Sequence, residues 1–158
     1  MKSLEKPPVT AYIGLGANLG DAAAAVTRAM DAIAALPATR VTQRSSLYAS
    51  APVDAEGPDY VNAVVEVETT LPAPLLLAQL QRLEQQAGRE RPYRNAPRTL
   101  DLDLLLYGDA TVQSDVLTLP HPRMTQRAFV LLPLAQIAPQ RVAAGQLEQV
   151  RGQQVRRL

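Results

Sequence analysis

Asp101 and Asp103 sit one residue apart in the run Pro97-Arg98-Thr99-Leu100-Asp101-Leu102-Asp103-Leu104, which otherwise alternates with leucine. On an extended strand successive side chains point to opposite faces, so both carboxylates share one face and Leu100, Leu102 and Leu104 share the other. The Cα atoms of the two acids then lie roughly 6.5–7 Å apart. From that spacing two carboxylates can converge on a pair of hard cations about 3.5–4 Å apart. Arg98, three residues upstream of Asp101, adds a positive group where a phosphate would approach. The stretch reads as a metal-and-phosphate site backed by a buried leucine stripe. The same pattern also describes a half-buried strand with a solvated acidic face.

Groups able to bind a phosphate or a flat ring occur elsewhere. The single histidine, His121, lies in Leu119-Pro120-His121-Pro122-Arg123. The flanking prolines hold it in an extended, exposed loop. A lone histidine without partners makes no zinc site, which leaves a hydrogen bond to a ligand phosphate or a plain surface side chain. Tyr60 beside Asn62 can stack a flat heterocycle while the amide reads its edge; otherwise Tyr60 caps a sheet edge and Phe129, the only phenylalanine, packs the core. Segment Arg89 to Arg98 carries four arginines and two prolines without a regular period, the mark of a mobile loop. With one histidine already held between prolines, no Ser-His-Asp set is readable.

The elements that must position these groups follow from periodicity and punctuation. Val9 to Leu15 is an apolar strand running into Gly14-Leu15-Gly16-Ala17-Asn18-Leu19-Gly20-Asp21, read as a tight turn with Asp21 as a helix cap. That turn fits neither the triphosphate-loop nor the dinucleotide glycine pattern. Ala22 to Leu36 has helical spacing, Val41 to Tyr48 reads as one strand, and Ala49 to Asp59 as a loop. Tyr60 to Thr69 is a strand with Val61, Ala63, Val65 and Val67 on one face and Tyr60, Asn62, Val64 and Glu66 on the other. Pro72 and Pro74 open a helix over Leu75 to Ala87 that Gly88 stops, with Gln81 and Glu84 on its polar side. Leu100 to Tyr107 is the strand of the acid pair, and Gly108-Asp109 turns it back towards Val112. Ala128 to Ile137 has helical spacing interrupted at Pro133, and the polar tail 140–158 has no legible period. Strands and helices do not alternate regularly, which favours an α+β sandwich, with helices on one side of an antiparallel or mixed sheet, over a doubly wound parallel one.

Composition bounds the function classes. The 158 residues fit one domain, with 47% hydrophobic and 20% charged residues, a globular balance. A formal charge of +1 implies no bulk attraction to nucleic acid or to an anionic membrane. There are no cysteines, hence no disulfide, thiolate metal site or cysteine nucleophile. Met1 to Pro8 is charged and proline-containing, without the apolar core of a signal peptide, and no apolar run approaches the ~18 residues that span a bilayer. A soluble, cytoplasmic protein is expected, one domain over 1–158 with a flexible 1–8 tail.

Several of these pieces occur in order in a known family. The run Arg89, Pro97, Arg98, Thr99, Leu100, Asp101, Leu102, Asp103 resembles the signature of the 6-hydroxymethyl-7,8-dihydropterin pyrophosphokinases. Gly16 to Asp21, Pro58-Asp59-Tyr60-Val61-Asn62-Ala63 and Leu119 to Met124 support it, and the likeness runs from about Ala11 to Pro139. The resemblance implies a ferredoxin-like α+β fold, mainly an antiparallel sheet with helices packed on it. It further implies transfer of pyrophosphate from ATP to the hydroxymethyl group of a reduced pterin, with release of AMP. Under it, Asp101 and Asp103 hold two Mg²⁺ ions, and Arg89 and Arg98 approach the transferring group from their loop. Gln81 and Glu84 face the nucleoside, and Arg91, Thr118, His121 and Arg127 belong to the ATP side. Tyr60 and Phe129 sandwich the pterin, with Asn62, Ser50 and Val53 at its edge and Gly16 and Asn18 beneath it. Two other classes compete: a ferredoxin-like module that binds nucleotide or pterin without turnover, and a metal-dependent phosphohydrolase using the same acid pair. The near-zero charge and lack of a basic stripe disfavour a nucleic-acid substrate for the latter.

Overall fold

A computed structural model describes residues 7–51, 58–88 and 100–158. The expected sites at Val53, Arg89, Arg91 and Arg98, and the arginine loop as a whole, lie outside these residues.

The leading strand β1 (Val9–Ala17) runs two residues further than its apolar stretch suggests. Gly14 and Gly16, read as part of a turn, are therefore strand residues. Only Gly20 carries the left-handed backbone of the turn, with φ +59°. Asp21 caps α1 (Ala22–Ala34), its carboxylate accepting from the Ala24 N–H at 3.1 Å. β2 (Thr39–Arg44) and β3 (Tyr48–Ser50) replace the single strand expected over 41–48. The break has a cause on the neighbouring strand: Ser45 Oγ accepts from the Val64 N–H at 2.9 Å, so a side chain stands in for a backbone carbonyl and the ladder shifts. β4 (Tyr60–Thr69), α2 (Ala73–Gly88) and β5 (Asp101–Tyr107) follow close to expectation.

β5, β1, β4, β3 and β8 (Val155–Arg157) lie in that order, and β2 pairs with β4 beside β3, every pair antiparallel. Gly108, with φ +53°, and Asp109 form the expected turn, closed by the Ala110 N–H donating to the Tyr107 carbonyl at 3.0 Å. Beyond it β6 (Val112–Gln113) pairs with β7 (Thr118–Leu119) in a separate two-stranded ribbon. α3 (Ala128–Ile137) continues through Pro133, which is buried; one proline removes a single interior N–H bond, and burial of the surrounding apolar residues outweighs that loss. The tail folds as α4 (Ala144–Gln149) and β8.

Helices cover both faces of the sheet, not one. Ile13, Leu15, Val65, Val67, Leu102 and Leu104 pack against Val26, Met30 and Ile33 of α1 and Leu76 and Leu80 of α2. On the opposite face Tyr12, Val64 and Leu106 pack against Val130, Leu134 and Ile137 of α3. The central strands carry apolar residues on both faces in these stretches, and each fully buried Leu, Ile or Val contributes about 1.5–3 kcal/mol, so both faces must be covered.

Candidate active site

β1 ends where β4 and β5 begin, and at that end of the sheet the α3 face is not packed. The positions of β1 that follow Tyr12 on this face are Gly14 and Gly16, so the floor there is bare backbone. Gly16 pairs with Asn62 on one side and with Asp101 on the other, and Gly14 pairs with Asp103. A Cβ at Gly16 would stand 3.1 Å from Asn62 Nδ2, closer than side chains normally tolerate. The result is a cavity of about 980 Å³ over the glycine floor, walled by β4, β5 and the start of α3.

Among the described residues, nine of the sequence-derived positions line this cavity. Gly16, Asn18, Ser50, Tyr60 and Asn62 form one side, and Asp101, Asp103, Arg127 and Phe129 the other. Ser50 Oγ donates to Asn62 Oδ1 at 2.6 Å in a buried hydrogen bond, which fixes the amide and turns its Nδ2 donor towards Gly16. The Arg127 guanidinium lies 5.4 Å from the centre of the Phe129 ring, a cation–π distance. Phe129 is half-buried, packing partly on the α3-side core and partly facing the cavity.

A second cavity, of about 250 Å³, opens on the outer side of β5. Thr118 and His121 line it together with Leu77 of α2, and Asp103 borders both cavities. Gln81 and Glu84 stand on α2 outside both linings. The Glu84 carboxylate accepts from the Leu102 N–H at 2.8 Å, and Leu102 is the residue between the two acids.

His121 is less exposed than its flanking prolines suggest, at 22% for the side chain, because its own N–H bonds to the Leu105 carbonyl and docks the loop on β5. Nδ1 accepts from the Arg123 N–H at 3.3 Å, which assigns the ring proton to Nε2. Nε2 lies 3.9 Å from Asp103 Oδ1. Burial lowers the imidazole below its ordinary pKa; Asp103 pulls it up in part, and Arg127 and Arg123 push it further down. The ring is therefore neutral at pH 7 and presents an N–H donor beside the acid pair.

Asp101 and Asp103 provide two carboxylates on one face of one strand, and among the described residues no cluster of three His, Cys, Asp or Glu side chains gathers around a point. Such a donor set fits a hard cation that keeps waters and completes its shell with phosphate oxygens, as Mg²⁺ does, and does not fit zinc.

Residues 12–139 match the family model for 7,8-dihydro-6-hydroxymethylpterin-pyrophosphokinase, HPPK. This chain belongs to that family. It is 47% identical over 131 residues to the 2-amino-4-hydroxy-6-hydroxymethyldihydropteridine pyrophosphokinase of Haemophilus influenzae, covering 82% of each chain. It is 46% identical over 130 residues to the enzyme of the same name from Pseudomonas aeruginosa, covering 81% of this chain and 80% of the relative. In fold it is similar to an HPPK-DHPS crystallised in complex with substrates, with a TM-score of 0.67 at 13% identity over 85% of this chain. A Plasmodium falciparum HPPK-DHPS with pterin and p-hydroxybenzoate gives 0.66 at 16% identity over 87%. The chain spans about 40% of the length of those two-part proteins. The α+β fold expected from the sequence is the fold of the HPPK family.

Sequence reasoning missed part of the lining: Arg123, Gln126 and the tail residues Gln153, Gln154 and Val155. Arg123 was within reach, since it closes the His121 motif and adds a cation beside Arg127. The tail residues carried no signal, because nothing local in a polar stretch reveals which strand it will join.

Proposed function

We propose that this cleft transfers pyrophosphate from ATP to the hydroxymethyl group of 6-hydroxymethyl-7,8-dihydropterin, releasing AMP, as the pyrophosphokinase step of folate biosynthesis. Family membership carries the reaction class. The observation that carries the assignment of sites is the pair of unequal cavities meeting at Asp103. The larger one, with Tyr60, Phe129 and the oriented Asn62 amide, has the stacking faces and edge donor that a flat heterocycle needs. The smaller one, with Thr118 and His121, offers neutral hydrogen-bond donors to an ATP phosphate. Val53 belongs to the pterin side of this reading, Arg91 and Arg127 to the phosphates, and Gln81 and Glu84 to the nucleoside.

Asp101 and Asp103 would hold two Mg²⁺ ions, which when bound neutralise phosphate charge and polarise the attacking hydroxyl. The remaining work belongs to the chain's own residues. Tyr60 and Phe129 fix the pterin plane, and Asn62 fixes its rotation, so that the hydroxymethyl oxygen faces the β-phosphorus. The new bond forms between that oxygen and the β-phosphorus, the bond from the β-phosphorus to the oxygen bridging to the α-phosphate breaks, AMP departs with that oxygen, and the hydroxyl proton passes to solvent. Such a transfer depends on positioning and charge neutralisation more than on a general base. Arg89 and Arg98 supply positive charge to the transferring group and keep water from it, because hydrolysis of ATP is the competing reaction. The protein acts as one domain over 1–158, as a monomer in the cytoplasm; among the described residues no helix is long and apolar enough to cross a membrane.

The test is an incubation with ATP, Mg²⁺ and 6-hydroxymethyl-7,8-dihydropterin, scoring AMP. AMP that appears only when the pterin is present supports the transfer. Pterin-independent phosphate release would replace it with a hydrolase, and absence of product with a binding module.

A further inference from the structure

The tail beyond the family match builds part of the cleft wall. Val150 is buried with Ala128 and Leu131 of α3, which anchors one end of the turn 151–154. At the other end Val155 pairs with Ser50, joining β8 to β3 next to the Ser50–Asn62 bond. Between these anchors Gln153 reaches across to the segment ahead of α3. Its Oε1 accepts from the Ala128 N–H at 2.9 Å, and its Nε2 donates to the Gln126 carbonyl at 2.8 Å. One amide therefore grips the main chain on both sides of Arg127. Ala128 opens the helix, so its N–H has no partner within α3, and the Arg127 side chain does not cap it.

We propose that Gln153 is a positioning residue that holds Arg127 and Phe129 against the bound substrates. The reading rests on the pyrophosphokinase assignment of the cleft. Arg127 is extended, with φ −125° and ψ 111°, between a short helical turn and α3. Its N–H donates to the Met124 carbonyl at 3.4 Å, and its carbonyl accepts from the Val130 and Leu131 N–H groups at 3.1 and 3.0 Å. Gln153 adds a second bond to each of these two peptide planes, on the side that faces the cleft wall. A paired donor and acceptor across that residue restricts rotation of both adjoining peptide planes, and therefore of the guanidinium and of the ring it stacks on. Gln153 itself is exposed, so its replacement removes two hydrogen bonds without opening the core.

The experiment compares Gln153→Ala and Gln153→Met with the unaltered protein. Methionine keeps the length of the side chain and loses both hydrogen bonds. Pterin dissociation constants are measured by fluorescence in the presence of a non-hydrolysable ATP analogue and Mg²⁺. Backbone amide exchange is followed across 123–131 and, as a reference, across β1 and β4. Both variants are expected to bind pterin about 10-fold more weakly and to exchange the amides of 126–129 at least about 10-fold faster, with the reference strands unchanged. KM for pterin should rise with the dissociation constant while kcat changes less than about threefold. Exchange at 126–129 that matches the unaltered protein in either variant, or pterin binding restored by Gln153→Met alone, overturns the proposal. If the unaltered protein makes no AMP, the functional assignment fails, and the exchange measurement still decides whether the amide is a clamp.

Discussion

Asp103 borders both cavities and lies 3.9 Å from the neutral His121 ring, whereas Asp101 faces only the larger cavity. Asp103→Asn keeps the shape of the side chain and removes its charge, so the fold should persist while AMP formation falls by at least about 100-fold, the usual cost of losing one group that stabilises transition-state charge. Asp101→Asn should show the same loss. Titration of the unaltered protein and both variants with Mn²⁺ provides the second readout, and unchanged activity in either variant would remove the metal assignment. Gly16→Ala gives a steric test of the floor. The added methyl group would sit 3.1 Å from Asn62 Nδ2, and the Ser50 bond prevents the amide from retreating freely. Pterin affinity is expected to drop about 10-fold, with little change in the thermal midpoint because the site opens on the cavity; equal pterin affinity would place the ring away from Gly16.

Strand β5 carries the acid pair at an edge of the sheet, and its outward Leu102 N–H is closed by the Glu84 carboxylate of α2. Glu84→Ala removes that acceptor and should cost about 1–2 kcal/mol, a fall of roughly 2–8 °C in the melting temperature for a chain of this size. Glu84→Gln keeps an acceptor and should lose less than half as much; equal losses would mean that the bond to Leu102 is not the source. How legible each element was in the sequence follows the range of the interaction that fixes it. The Leu-Asp alternation of β5 and the Val-Ala alternation of β4 are local, and both strands form where they were expected. The single strand over 41–48 failed because Ser45 turns its hydroxyl to the Val64 N–H, a contact between residues 19 apart. β8 was hidden because a three-residue strand in a polar tail exists only through its pairing with β3. The same limit applied to the site: Asp101, Asp103, Tyr60 and Asn62 were readable from spacing, whereas Gln153 reaches the cleft through a contact with Ala128, 25 residues away.

Across the molecule, one partly buried polar link ties three strands together. Tyr12 of β1, only 3% exposed, donates its phenol to Glu66 of β4 at 2.6 Å, and Thr42 of β2 donates to the other oxygen of the same carboxylate at 2.8 Å. Burial, first, and then the hydrogen bond to Glu66 and its negative charge push the Tyr12 phenol up to about 12, with Arg141 opposing in part. The folded value thus lies above the unfolded value of about 10. The stabilisation is therefore fully present below pH 10 and is lost as the pH rises from 10 to about 12, where the unfolded chain releases the proton and the folded one retains it. Urea unfolding midpoints should fall over that window, and Tyr12→Phe should fall less steeply. Burial also raises Tyr48 and Tyr107, so some slope must remain in the variant. At neutral pH the variant should lose about 1–2 kcal/mol through the missing bond to a carboxylate that Thr42 still holds. Identical slopes for the two proteins between pH 10 and 12 would mean that Tyr12 ionises in the folded state as it does in the unfolded chain, and that the three-strand link is open to water.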